Sequence, residues 1–236
     1  MNLQKHIPNL LTLLNLFCGC IAIVFISNFR FELAFFFVCL GIFFDFFDGF
    51  LARKWGVAGP LGVQLDSLAD MVTSGVAPGF VMTYLLAGQY VNTVFVEYLP
   101  WLGFIITLGA CYRLANFNID TRQSDSFIGL PTPANALFIM SLPLVIESHP
   151  TIEIVGLLLN KWVLIAITLL SAYVMNAEIP LFSLKIKDFS FQKYKLQIGF
   201  LLASVVLLIF LQFTAVPLII LMYVLLSVLN NIVSKK

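Results

Sequence analysis

Phe44–Asp70 reads FDFFDGFLARKWGVAGPLGVQLDSLAD, and its four aspartates, Asp45, Asp48, Asp66 and Asp70, decide how the chain folds. Two lie near the end of one apolar run, closed by Arg53-Lys54, and two lie early in the next. An ionised carboxylate in a low-dielectric medium is costly unless it is paired, coordinated or protonated, so acids at this density imply cations or protons. On a helix, residues three or four apart share a face. Asp45 and Asp48 therefore project together, as do Asp66 and Asp70, and two antiparallel helices joined by a short loop turn all four toward one another. Oxygen donors alone suit Mg²⁺, Mn²⁺ or Ca²⁺ and not zinc or copper, which take His or Cys.

Outward from this stretch the chain is apolar. Of its 236 residues 61% are hydrophobic and 11% charged, with mean hydropathy +1.01. Soluble domains hold about 45–50% apolar and about 25% charged residues, so the expected fold is all-α, a polytopic transmembrane helical bundle forming a single domain over residues 1–236. The formal charge of +1 gives no reason to expect a nucleic-acid partner. The four cysteines show no CxxC or Cys/His spacing and read as small buried hydrophobes. The first apolar run is too long for the core of a signal peptide and reads as a span.

Eight apolar runs approach the length of a span, at about 8–27, 32–53, 66–88, 98–117, 132–147, 160–177, 196–212 and 214–231. With the N-terminus cytoplasmic, Lys5, Arg53, Lys54, Arg113, Arg122, Lys185, Lys187, Lys193, Lys195, Lys235 and Lys236 fall inside, 11 of the 13 basic residues. Arg30 and Lys161 fall outside, with Glu32, Glu97, Glu147 and Glu153. At about 1.5 Å per residue, Asp48 then sits about 7 Å and Asp45 about 12 Å inward from Arg53, in the cytoplasmic part of the bilayer. There a water-soluble reagent meets a lipid. Trp55, Trp101 and Trp162 fall near span ends, as interfacial aromatics do. His6 and His149 fall on opposite sides and do not pair.

Gly49, four residues after Asp45, lets a phosphate approach the backbone beside the acids, or is a helix-packing glycine. Ala52 extends the same smooth face. Arg53 pairs with phosphate oxygens, or snorkels from the helix end.

The pattern Asp45-x-x-Asp48-Gly49-x-x-Ala52-Arg53, eight residues, then Gly62-x-x-x-Asp66-x-x-x-Asp70, resembles the signature of the CDP-alcohol phosphotransferase family at all eight of its positions. That resemblance implies a bundle with a six-helix core. It also implies transfer of a phosphatidyl-type group from a CDP-linked lipid to an alcohol, with release of CMP. By the same resemblance Asp45, Asp48, Asp66 and Asp70 bind divalent metal, Mg²⁺ or Mn²⁺, as two ions, and Asp70 is also the general base. Gly49, Ala52 and Arg53 then contact the CDP moiety, and Gly62 shapes the nucleotide site.

Further stretches resemble the serine-accepting branch of that family. They are Ile7-Pro8-Asn9 with Thr12, Ser74-Gly75-Val76-Ala77-Pro78, Arg113-Leu114-Ala115-Asn116-Phe117-Asn118 and Gly129-Leu130-Pro131-Thr132-Pro133-Ala134. The implied substrates are CDP-diacylglycerol and L-serine, in a homodimer of the bacterial inner membrane with its active site facing the cytoplasm. Asn116 departs from the basic residue expected at its position. Arg113 is the cation for a serine carboxylate or lipid phosphate, or an interfacial anchor. Ser74 lines the acceptor or nucleotide pocket, or bonds back to its own helix. Glycerol 3-phosphate or inositol phosphate are alternative acceptors. A cation transporter is the reading from another class, and it fits poorly with LAFFFVCLGIFF preceding Asp45.

Overall fold

The computed structural model describes residues 6–88, 98–120, 127–182 and 195–234. Lys5, Glu97, Arg122, Lys185, Lys187, Lys193, Lys235 and Lys236, which entered the orientation reading, lie outside the described residues, as do parts of the loops at 118–131 and 178–195.

The chain is all-α and polytopic. It runs α1 (Ile7–Ser27), α2 (Phe31–Lys54), α3 (Pro60–Asp70), a π-helical turn (Met71–Val76), α4 (Ala77–Ala87), a 3₁₀ turn (Leu99–Phe104) leading into α5 (Ile105–Ile119), α6 (Thr132–Ser148), α7 (Ile152–Leu158), α8 (Lys161–Asn176), α9 (Lys195–Leu211) and α10 (Ala215–Ser234). Helical rods thus occupy all eight expected segments, the third being α3, the π turn and α4 in continuous sequence. By length and composition four stretches suffice to cross a bilayer: α1, α2, Leu99–Ile119 and Lys195–Val233; the α7–α8 pair, bent by 53°, makes a fifth if counted as one span. The 39 residues of Lys195–Val233 would reach about 59 Å as one straight helix, about twice the hydrocarbon thickness. They divide instead at Gln212–Thr214, where Gln212 takes φ +47, and α9 and α10 pack on each other.

Helix starts follow from proline, whose missing N–H is unneeded in a first turn: Pro8, Pro60, Pro78 and Pro133 each open a helix. α1 and α2 form a hairpin whose facing residues recur at three and four. Thr12, Asn15, Gly19, Ala22 and Ile26 line one helix, and Ala34, Val38, Gly41 and Asp48 the other. Small residues at this seam bring the backbones together, as packing between membrane helices requires. The apolar core of Ile26, Val38, Val81, Met82, Ile106, Ile139, Met140 and Leu164 holds the bundle. Large apolar side chains such as Phe17, Phe43, Phe46, Leu108 and Phe210 point outward, the surface of an integral membrane protein. Cys20 and Cys111 also lie on that exposed surface, unlike buried Cys18; at both positions the helix face, and not residue type, sets exposure.

A two-residue antiparallel pair, β1 (Phe127–Ile128) with β2 (Pro180–Leu181), ties the start of α6 to the end of α8. Gly129, at φ +75, permits this. A side chain there would meet the Met175 carbonyl, and its N–H donates to Ile179 O at 2.9 Å. The ends of α5, α8 and α10 and the starts of α3 and α6 gather at one end of the bundle, tied by Asn118 to Ser67 and by Asn231 to Pro180 O. His149 is at the other end, where its Nδ1 lies 3.2 Å from Thr214 Oγ1.

Candidate active site

The acidic stretch folds as a helix hairpin. Arg53 and Lys54 occupy the last turn of α2, where cations oppose the partial negative charge of the helix end. Gly56, at φ +65, then stops the helix: its N–H donates to Arg53 O at 3.2 Å and that of Val57 to Ala52 O at 3.0 Å, the reciprocal closure of a glycine C-cap. Gly59 is extended, and Pro60 starts α3. The five intervening residues reverse the chain so tightly that the acids of the two helices have no choice but to meet.

They meet as a group of three. Asp45, Asp48 and Asp66 each offer a carboxylate oxygen, and these oxygens lie within 4.8 Å of one another. Asp48 is buried, while Asp45 and Asp66 are half-buried. Asp70, one turn beyond Asp66, is 7% exposed and stands outside that group. Three carboxylates on one point form an oxygen-only donor set that fits a hard divalent metal.

The helix that holds these acids in place is α1. Thr12 Oγ1 lies 2.5 Å from Asp48 Oδ2 and 3.1 Å from Pro8 O. Asn15 Nδ2 donates to Asp70 Oδ1 at 3.0 Å. Thr12 and Asn15 are three apart and share a face, so one helix side grips one acid from each half of the hairpin. Thr12 belongs to a stretch already singled out from the sequence; Asn15 does not. Its mark is that it is a polar residue within an apolar span, in helical phase with Thr12.

Gly49 and Ala52 follow Asp45 and Asp48 along the same side of α2, both half-buried. The Arg53 guanidinium folds back over Gly49, where a Cβ would lie 3.2 Å from Nη1. Gly62 faces α1, with Asn9 Oδ1 3.5 Å from the position of an added Cβ.

Ser74 and Arg113, expected as acceptor-binding groups, are both buried. Ser74 sits in the π turn, wholly buried, with no hydrogen-bond partner for its hydroxyl among the described residues. Arg113 is 7% exposed and donates through Nη1 to Ile128 O at 2.8 Å and Met175 O at 3.1 Å. On α5, Thr107 and Asn118 reach Gly75 and Ser67, whereas Arg113 reaches β1 and the end of α8. About 100° per residue puts it well round the helix from the side that meets α3. It borders a polar cavity of about 170 Å³ with Asn116, Asp120, Asn176 and Glu178.

A bundle of membrane helices with a carboxylate trio at one end, flanked by Gly49, Ala52 and Arg53, defines a class. Residues 5–174 match the family model described as CDP-alcohol phosphatidyltransferase, and the chain belongs to that family of enzymes. Among curated relatives it is similar to the CDP-diacylglycerol–serine O-phosphatidyltransferase of Bacillus subtilis, 37% identical over 134 residues, covering 55% of this chain and 71% of the relative. The enzyme of that name from Methanocaldococcus jannaschii is 34% identical over 154 residues, 65% of this chain and 68% of the relative. The archaetidylserine synthase of Methanothermobacter thermautotrophicus is 34% identical over 140 residues, 57% of this chain and 56% of the relative.

Proposed function

We propose that this protein transfers the phosphatidyl group of CDP-diacylglycerol to the hydroxyl of L-serine, giving phosphatidylserine and CMP. The observation that carries the chemistry is the convergence of Asp45, Asp48 and Asp66 within 4.8 Å, with Asp70 one turn away. Support for the acceptor comes from the three relatives above, all of which carry serine in their names.

In this reading the serine hydroxyl oxygen forms a bond to the phosphorus attached to diacylglycerol. The bond from that phosphorus to the bridging oxygen breaks, and CMP leaves with the electron pair. Asp70 takes the hydroxyl proton. Asp45, Asp48 and Asp66, with Asp70, hold Mg²⁺ or Mn²⁺, as two ions, which when bound supplies positive charge against the pyrophosphate and the leaving group. Gly49, Ala52 and Gly62 leave room for the nucleotide, and Arg53 turns from Gly49 to a phosphate oxygen. Ser74 and Arg113 support the acceptor side from beneath the surface. The protein works as a single-domain homodimer in the bacterial inner membrane, its acidic end toward the cytoplasm.

The test is purified protein in mixed micelles with CDP-diacylglycerol and labelled L-serine, with and without Mn²⁺ or Mg²⁺, following CMP and the lipid product. Metal-dependent, serine-dependent release of CMP with label in phosphatidylserine is expected. Serine-independent release, or preference for glycerol 3-phosphate or inositol phosphate, overturns the acceptor.

A further inference from the structure

We propose that Asn15 is a positioning residue for Asp70, fixing one carboxylate oxygen so that the other is presented to the acceptor hydroxyl; this rests on the role of Asp70 as base proposed above. Asn15 is fully buried and its Nδ2 donates to Asp70 Oδ1 at 3.0 Å. An ionised carboxylate only accepts hydrogen bonds, so the amide has one productive orientation: reversed, it would set two oxygens against each other. That orientation turns Asn15 Oδ1 away from Asp70, toward Gly41, with no hydrogen-bond partner among the described residues.

The surroundings hold the amide in place. Thr73, three residues after Asp70, donates its hydroxyl to the Asn15 backbone carbonyl at 3.0 Å. Opposite, α2 passes at Gly41, where an added Cβ would lie 2.8 Å from Asn15 Oδ1 and 2.9 Å from Thr73 Cγ2. One turn along α1, a side chain at Gly19 would run into Thr73. Asn15 is therefore enclosed by α2 and the π turn on one side and bonded to Asp70 on the other, which holds its rotamer. Thr12 gives no such support to Asp70; its hydroxyl is turned to Asp48.

The experiment compares wild type with Asn15→Leu, which keeps the branched shape and removes the donor, and with Asn15→Ala, which adds no bulk should the larger leucine fail to fit. Loss of a hydrogen bond to a charged group predicts a fall in kcat of about tenfold to a hundredfold. KM for both substrates is expected to stay within about twofold, and Mn²⁺ affinity, read by paramagnetic titration without substrate and shared by Asp70 with the trio, to fall by less than kcat does. A kcat within about twofold of wild type in a folded variant overturns the proposal. So does a fall in kcat matched by loss of Mn²⁺ affinity, which would make Asn15 a support of the metal group. Wild type in the same assay tests the acceptor separately, because the variant-to-wild-type ratio is taken with whichever alcohol wild type uses.

Discussion

Thr12 Oγ1 lies 2.5 Å from Asp48 Oδ2, joining residues 36 apart across the α1–α2 seam. A hydrogen bond from Thr12 to this carboxylate holds Asp48 in its place in the trio. Thr12→Val keeps the shape and deletes the donor. The expected result is about a tenfold rise in the Mn²⁺ concentration giving half-maximal CMP release, the usual cost of losing a group that orients a metal ligand. An unchanged metal requirement would remove Thr12 from the site.

The trio and Asp70 are expected to act as a unit. Asp45→Asn and Asp70→Asn each keep size and polarity and remove a charge. Each should abolish CMP release while the protein still inserts and elutes from detergent size-exclusion at the wild-type position. Normal turnover by either variant would sink the proposed chemistry.

At Gly41, α1, α2 and the π turn meet closely. Gly41→Ala pushes a methyl against Asn15 Oδ1 at 2.8 Å and Thr73 Cγ2 at 2.9 Å, and overpacking of this kind costs about 1–3 kcal/mol. A lowered thermal midpoint in detergent, with a fall in kcat, is expected. Gly156, with nothing within 4 Å of an added Cβ, is the control, and Gly156→Ala should leave both unchanged.

Arg113 makes both bonds through Nη1 to backbone carbonyls of different segments, from the end of a side chain longer than lysine's, which the shorter lysine reaches poorly. Arg113→Lys is therefore expected to lower the thermal midpoint while KM for serine moves by less than about twofold. A large rise in that KM with unchanged stability would return Arg113 to the acceptor pocket.

Orientation is tested by single cysteines at Ala58, in the α2–α3 loop, and Asn28, between α1 and α2. With the acidic end cytoplasmic, a membrane-impermeant maleimide labels Asn28→Cys in spheroplasts and Ala58→Cys only after permeabilisation. The opposite pattern would invert the protein in the membrane.

Much of this site is legible in the sequence because charge in an apolar chain is conspicuous and helical spacing is regular. Asp45, Asp48 and Asp66 could be placed together from i, i+3 arithmetic and a short loop alone. The eight helical segments follow from hydropathy in the same way. What was not legible are contacts between helices far apart in sequence. Nothing local marks Asn15 as the partner of Asp70, 55 residues away, or distinguishes Arg113 as a tie between β1 and α8 from an anchor at the interface. Ser74 follows Asp70 by four residues, close to one turn of either an α- or a π-helix, so the two share a face, and nothing local shows that Ser74 is wholly buried.

That turn also sets how the third rod serves two masters. Each residue of an α-helix advances about 100° around the axis, so a turn holding one residue more rotates everything after it by that amount. Without it, the surface that carries Asp66 and Asp70 would continue straight into α4. With it, the rod offers its acids to α1 and α2 at one end, and at Gly75 and Gly79, where side chains would meet Ala110 and Thr107, it lets α5 lie against its backbone. A single-residue deletion between Met71 and Val76 would bring the two ends into phase and force the protein to choose between its acidic face and its contact with α5.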